Sequence, residues 1–398
     1  MGKAEPIETD SKHAAAGYRD PDPFHVEAQG QSLTFYPAGK DRFAALIELI
    51  GSARSKLDMC FYIFAEDEAS RRVRDALVAA ARRGVDVTLL LDGFGASATE
   101  AFLEPLREAG GHHARFVSRP SHRYLIRNHQ KIVIADQTRA MIGGFNVEND
   151  YFDPPSLNGW NDLAIVVEGS AVDALVDWYA KISNWTADAR ARWSGIRRII
   201  RGWDPGTGPV RLLVGGPTRG LSTWAASVSR DLIRAERLDM MMAYFSPHKR
   251  LVRRIARIAQ RGSARLVMAG KSDNAATIGA TRALYRYLLK RGTRIWEFQP
   301  CKLHTKLIVV DDAVYIGSAN FDMRSLYLNL ELMLRIEDAA LAQRIREFIA
   351  QHLPASEEIT PALHAARATW WNRLRWRLSW FLVGVADYTV SRKLNLGL

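Results

Sequence analysis

A pattern of eight residues, H-x-K-x-x-x-x-D, occurs twice in this 398-residue chain: His129-Gln130-Lys131-Ile132-Val133-Ile134-Ala135-Asp136 and, 175 positions later, His304-Thr305-Lys306-Leu307-Ile308-Val309-Val310-Asp311. The surroundings repeat with it. An apolar run at 61–64, a helical period over 71–83 stopped by Gly84, and a second apolar run at 85–91 are matched by 241–245, 251–261, Gly262 and 264–269. A further helix in each half, 100–109 before Gly110 and 281–290 before Gly292, ends at glycine as helices commonly do. Strand, helix and strand recurring at so long a period specify two similar α/β halves. The length agrees, being about two domains' worth.

On a strand, residues i and i+2 share a face, so His129 with Lys131, and His304 with Lys306, each present an imidazole beside an ammonium. After each aspartate the chain is expected to turn and return as a second strand, 140–142 or 313–316. It then enters a turn of small residues, Gly143-Gly144-Phe145-Asn146 or Gly317-Ser318-Ala319-Asn320. Small residues let a ligand approach the backbone closely, and Asn146 and Asn320 add amide donors. Brought together across a pseudo-twofold axis, the two corners make one pocket whose histidines, lysines and asparagines suit a phosphodiester. Lysine charge can stabilise non-bridging oxygens as charge builds at phosphorus. One neutral imidazole can attack phosphorus, while the other donates a proton to the departing alkoxide and then activates the incoming hydroxyl. No metal or other cofactor is required, and the neighbouring His112-His113 has no carboxylate or cysteine at ligand spacing.

With 55 Lys and Arg against 43 Asp and Glu, the net charge of +12 attracts polyanions, either nucleic acid or the anionic face of a membrane. Cys60 and Cys301 stand far apart in apolar runs and read as core residues of a reduced, intracellular protein. The first two dozen residues lack the apolar core of a signal peptide, and Pro6 stands where myristoylation needs a hydroxyl. The apolar stretch 380–386 is far short of the roughly 20 residues that span a bilayer. A lipid partner would be met from the side.

The duplicated signature with its small-residue turns resembles the phospholipase D superfamily. The segments Gly317-Ser318-Ala319-Asn320-Phe321-Asp322-Met323-Arg324-Ser325, Asn329-Leu330-Glu331 and Ile142-Gly143-Gly144-Phe145-Asn146 are similar to its bacterial cardiolipin synthase branch. The similarity covers nearly the whole chain. It implies an α/β fold of two pseudo-twofold-related α/β/α domains, each a mixed sheet flanked by helices. It also implies a phosphatidyltransferase working through a covalent phosphatidyl-histidine. By the same resemblance His129 is the nucleophile and His304 the general acid and base, with Lys131 and Lys306 beside them. Asp136 and Asp311 complete the catalytic signature and are expected to brace their hairpins rather than touch substrate. Asn146, Asn320, Ser318 and Gly144 are the expected phosphate ligands. Extending the alignment, the seven residues from Glu331 match the seven from Asp162 without a gap, giving each half a carboxylate that orients a catalytic imidazole.

The expected divisions are a polar tail 1–28, a first domain 29–189, a basic and aromatic linker 190–209, a second domain 210–355 and an amphipathic tail 356–398. The linker interleaves Arg190, Arg192, Arg197, Arg198 and Arg201 with Trp193, Ile196, Ile199, Ile200 and Trp203. In the tail, Trp370, Leu374, Leu378, Phe381 and Val385 fall at helical spacing among arginines and further tryptophans, which suits the headgroup level of an anionic bilayer. The alternative is a helix packed on the protein's own core. The resulting expectation is a monomer with an internal pseudo-dimer, bound peripherally to the inner face of a bacterial cell membrane and acting on anionic phospholipid. Nucleic acid is disfavoured, because the chain carries both halves and no recognisable nucleic-acid module. Hydrolysis to phosphatidic acid is the alternative reaction, and a nuclease a weaker one. Two departures from the pattern stand out. Five residues separate Asp311 from Gly317 where six separate Asp136 from Gly143, which predicts a register shift unless a bulge absorbs it. Gly144 also stands where the other half has Ser318, so one hydroxyl is missing.

Overall fold

The structure is a computed structural model describing residues 17–117, 126–188 and 190–386. The first half contains β1 (Phe24–Ala28), β2 (Gln31–Tyr36), β3 (Lys56–Phe61), β4 (Asp86–Asp92), β5 (His112–Phe116), β6 (Ile132–Ala135), β7 (Arg139–Gly143), β8 (Trp160–Asn161) and β9 (Ala164–Glu168). The second contains β10 (Val210–Gly215), β11 (Arg237–Met242), β12 (Phe245–Ser246), β13 (Ser263–Ala269), β14 (Arg294–Phe298), β15 (Lys302–Leu303), β16 (Lys306–Val310), β17 (Ala313–Gly317), β18 (Phe321–Asp322), β19 (Glu331–Glu337) and β20 (Ser356–Glu358). Two eight-stranded mixed sheets result, in the orders β1-β2-β9-β7-β6-β3-β4-β5 and β10-β19-β17-β16-β11-β13-β14-β20. Apart from one extra edge strand in each, the orders match strand for strand. Parallel pairing is confined to β3-β4-β5 and to β11-β13-β14 within these sheets, where helices make the crossovers.

Those helices start where the sequence supplies caps: Asp67 accepts the Ser70 N–H before Glu68–Arg82, and Thr99 accepts that of Phe102 before Glu100–Glu108. Their buried rows, such as Val73, Leu77, Ala80 and Ala81, cover the outer face of the first sheet. Trp224, Ile255 and Tyr285 do the same for the second. The inner faces of both sheets share a central core with the helices Ala171–Ala187 and Ala339–Gln351. Because both faces are covered, β6 and β16 are buried throughout.

Several boundaries differ from the sequence expectation. The strands expected at 61–64 and 241–245 begin earlier, at Lys56 and Arg237, because ion pairs let charged residues into the sheet: Lys56 with Asp58 at 3.4 Å, and Arg265 with Asp239 at 2.6 Å. Residues 24–28, assigned to a polar tail, form β1, where Phe24 stacks on Phe35 with centroids 4.5 Å apart; residues 1–16 of that tail lie outside the described residues. The linker is largely the helix Trp193–Gly202, which turns Ile196 and Ile200 into the central core. The tail begins with β20, an edge strand of the second sheet. The hairpin register is not shifted: Ile132 faces Ile142 as Leu307 faces Ile316, and the extra residue is taken up in the turn, where Asp136 and Gln137 both adopt positive φ.

Candidate active site

Each signature histidine is tied by its backbone to the opposite half. The His129 N–H donates to Leu330 O at 2.9 Å, and the Leu330 N–H donates to Arg127 O at 2.9 Å. In the pseudo-equivalent place β15 pairs with β8, and the His304 N–H donates to Asn161 O at 2.8 Å. The residues between His and Lys reinforce the join, Gln130 Nε2 donating to Glu331 O at 3.1 Å and Thr305 Oγ1 to Asn161 O at 3.2 Å. Leu330 and Asn161 immediately precede Glu331 and Asp162, so these contacts deliver each acid to the other half's histidine.

The side chains complete the exchange. His129 Nδ1 lies 3.1 Å from Glu331 Oε2, and His304 Nδ1 lies 2.6 Å from Asp162 Oδ2. A carboxylate can only accept, so each Nδ1 carries the proton and each Nε2 keeps its lone pair. Lys306 Nζ also lies 3.0 Å from His304 Nδ1; with that nitrogen's proton directed at Asp162, the ammonium donates instead to His304 O. Lys131 makes the matching bond to His129 O at 2.6 Å. Aromatic rings wall the pocket, Tyr62 beside His129 at 4.9 Å between centroids, and Tyr151 and Trp160 beside His304 at 5.0 and 5.1 Å.

Burial dominates the electrostatics. It pushes the His129 pKa down to about 4, against the pull of Glu331 and with help from Lys131. It pushes His304 down to about 3, with Lys306 adding to the effect and Asp162 opposing it. Burial likewise lowers Lys131 to about 7 and Lys306 to about 8, although both acids raise them. For Asp162 burial works against the anion, but His304 and Lys306 more than offset it and the pKa falls. The pocket therefore holds two neutral imidazoles and two ammonium groups poised near neutrality.

The structure brings His129, His304, Lys131, Lys306, Glu331 and Asp162 together and sets other expected residues apart. Asp136 and Asp311 lie at the far ends of their hairpins, on the order of 20 Å along the strand from the histidines. Asp136 accepts the N–H groups of Arg54, Ser55 and Lys56, and Asp311 those of Glu236 and Arg237. There they anchor their hairpins. The Ser318 hydroxyl, expected to bind phosphate, donates to Glu331 Oε2 at 2.5 Å and accepts the Leu332 N–H at 3.0 Å. Gly144 leaves room for Asp162, since a Cβ there would stand 2.5 Å from Asp162 Oδ1. Asn146 Oδ1 accepts the Ile63 N–H at 3.1 Å, which leaves its amide group to donate; Asn320 Oδ1 is buried without a partner among the described residues. Sequence reasoning missed Ser325, whose hydroxyl donates to Glu331 Oε1 at 2.8 Å, and Arg42, which is fully buried. The Arg42 guanidinium donates to Asp162 O at 2.7 Å and Tyr151 O at 2.6 Å, locking the strand that carries Asp162. Nothing local marks a lone arginine on a helix for that task. Among the described residues no group of three or more His, Cys, Asp and Glu is placed to hold a metal ion.

Two pseudo-equivalent α/β lobes sharing one histidine-lysine pocket define a phospholipase D-type protein. The family model described as "Cardiolipin synthase, PLD-like domain" matches residues 46–183 and 230–353, and the chain belongs to that family. It is 29% identical over 359 residues to the major cardiolipin synthase ClsA of Bacillus subtilis, covering 87% of this chain and 73% of that protein. To cardiolipin synthase B of Salmonella typhimurium it is 29% identical over 363 residues, covering 86% of each. Among solved structures, the phosphatidylserine synthase of Haemophilus influenzae shares the fold with a TM-score of 0.70 at 15% identity, covering 96% of this chain and 99% of that one.

Proposed function

We propose that the protein is a phospholipid phosphatidyltransferase of the cardiolipin synthase kind, in which His129 carries the phosphatidyl group between donor and acceptor. The observation that carries the reading is the pair of imidazoles with Nδ1 held by a carboxylate and Nε2 left for phosphorus. His129 is the nucleophile: it is the more exposed of the two, and its Nε2 has no partner among the described residues, whereas His304 Nε2 faces the Tyr151 hydroxyl at 3.5 Å.

In the first step His129 Nε2 forms the N–P bond as the P–O bond to the donor alcohol breaks, and His304 Nε2–H gives its proton to the departing oxygen. Without a bound anion His304 is neutral at ordinary pH. Burial foremost, with Lys306 adding to it, depresses the His304 pKa; a bound phosphodiester anion between Lys131 and Lys306 favours the imidazolium, so His304 takes up the proton it delivers. In the second step the acceptor hydroxyl returns that proton to His304 Nε2 while its oxygen attacks phosphorus and the N–P bond breaks. Both lysines and the Asn146 amide stabilise charge on the non-bridging oxygens.

The donor in this reading is an anionic phospholipid, and the protein meets it peripherally at the inner membrane face. No helix among the described residues is long and apolar enough to cross a membrane. The test is product identification by mass spectrometry after incubation with phosphatidylglycerol vesicles, phosphatidylethanolamine vesicles and, separately, plasmid. Cardiolipin is expected; phosphatidic acid alone, or nicked plasmid without lipid turnover, would contradict the transferase.

A further inference from the structure

A second concavity is lined by none of the signature residues. It is a cavity of about 330 Å³ between the helices Ala275–Leu289, Pro361–Arg367 and Trp370–Phe381. Besides Arg282, four cations line it: Arg286 and Lys290, and Arg373 and Arg377. Each pair is spaced i, i+4, so two elements separately place like charges side by side, an arrangement that destabilises a helix unless something compensates. No acid among the described residues pairs with any of the four. The contrast with Arg282 on the same wall is direct, since Glu297 clamps that guanidinium at 2.8 and 2.6 Å. His364 also lines the cavity. It is 7% exposed, its ring stacks on Trp376 at 5.4 Å, and its ring nitrogens have no hydrogen-bonding partner among the described residues.

The Trp370–Phe381 helix shows why the ligand also has an apolar part. It is anchored through Trp376 and Ser379, and Gly279 lets it sit close: a Cβ there would fall 2.6 Å from Ser379 Oγ. The stripe read from the sequence faces away from this anchor. Trp370, Leu374, Leu378 and Phe381 are 51% to 62% exposed, with Trp371 at 64%; the side chain of Val385 lies outside the described residues. Arg377 stands one turn from both Leu374 and Phe381, so the cation row borders the stripe. The helix ends near Lys249, whose ammonium lies 5.4 Å from the Trp380 ring, at the end of the second sheet where β11 meets Lys306.

We infer that this cavity binds the phosphate of an anionic glycerophospholipid at the bilayer surface, while the neighbouring stripe enters the headgroup and upper acyl region. A cation-lined recess beside exposed tryptophan and leucine matches a ligand that is anionic at one end and apolar at the other. Held there, the second half presents its His304 end to the membrane. The inference rests on the reading that the substrate lies in a bilayer, and it is independent of the histidine chemistry.

The test uses the full chain and flotation with phosphatidylcholine vesicles, with and without phosphatidylglycerol. Arg286→Ala/Arg377→Ala is expected to lower partition onto the anionic vesicles by about tenfold or more. The charge-matched pair Arg253→Ala/Arg257→Ala, on the exposed face of the Lys249–Arg261 helix, should lower it by less than about threefold. Leu374→Ser/Leu378→Ser should weaken binding to both vesicle types. All these side chains are exposed, so melting temperatures should match wild type, and turnover of a short-chain soluble phosphatidyl substrate should persist. Equal losses for the two arginine pairs would overturn the site in favour of diffuse attraction. Calorimetric binding of inorganic phosphate that the first pair abolishes, with vesicle binding intact, would make the ligand a free phosphate and overturn the lipid assignment. Loss of plasmid retention alone would overturn it in favour of nucleic acid. Vesicle binding through this cavity in a protein that turns over no phosphatidyl substrate would leave the lipid site standing and reject the proposed chemistry.

Discussion

His129 and Glu331 come from opposite halves of the molecule and meet at 3.1 Å, Nδ1 to Oε2. The exchange is reciprocal, for Asp162 of the first half holds His304 of the second. Neither half owns a complete histidine–carboxylate pair.

Neutralising either acid should therefore disable the histidine of the other half. Glu331→Gln and Asp162→Asn keep the shape but offer an amide where a carboxylate fixed the tautomer, and each should lower kcat by roughly 10²- to 10⁴-fold with little change in melting temperature. Steady-state kinetics on a soluble substrate check this. Near-normal kcat in either variant would show that the acid does not position the imidazole.

Restoring sequence symmetry should be harmful. Gly144→Ser makes the first turn resemble the second, yet its Cβ would fall 2.5 Å from Asp162 Oδ1 and push that carboxylate off His304. We expect at least a roughly tenfold fall in kcat with KM less affected. An unchanged kcat would mean that Asp162 can move without consequence.

The pH profile of kcat/KM should follow the groups of the free enzyme. His129 must be neutral to attack, a condition met once pH has risen past about 4, so His129 itself sets no limb near neutrality. Lys131 and Lys306 must be charged to grip phosphate. Their pKa values are lowered to about 7 and 8, so their protons leave as pH rises, and kcat/KM should fall from about pH 7 upward. The lysines interact, so the limb reports the pair rather than either residue. A flat profile to pH 10 would contradict the lysine assignment.

Asp136 should matter to stability before chemistry. Burial works against its anion, but donated hydrogen bonds from Lys56, Ser55 and Arg54 prevail and lower its pKa to about 2. Its contribution is thus present above the ordinary carboxylate value of 3.8 and lost as pH falls toward 2. Asp136→Ala should lower stability by roughly 1–2 kcal/mol in denaturant unfolding near neutral pH, while kcat at a temperature where the variant is folded changes little. A large loss of kcat in the folded variant would return Asp136 to the catalytic groups.

The duplicated signature was legible because its information is local: alternation places His and Lys on one face, and small residues mark the turn. The two matched sheets could be inferred from the repeat for the same reason. What was hidden depends on contacts between distant segments. Arg127 meeting Leu330 decides which acid reaches which histidine, and no spacing encodes that meeting. Arg42 reads as a surface helix residue until five backbone carbonyls surround it. The tail's apolar stripe was visible as a helical period, but Gly279 and Ser379, far apart in the chain, decide that it faces outward. Charged residues concealed the starts of β3 and β11, where ion pairs offset the desolvation.

The central claim is that His129 carries the phosphatidyl group, and trapping that group tests it most directly. His304→Ala lacks the base that activates the acceptor, so rapid quench after mixing with a phosphatidyl donor bearing an activated leaving group should leave a phosphatidyl adduct. Peptide mass spectrometry should place the adduct on His129, and His129→Ala should show none. An adduct mapped to His304 in the wild type, or sustained turnover by His129→Ala, would contradict the account.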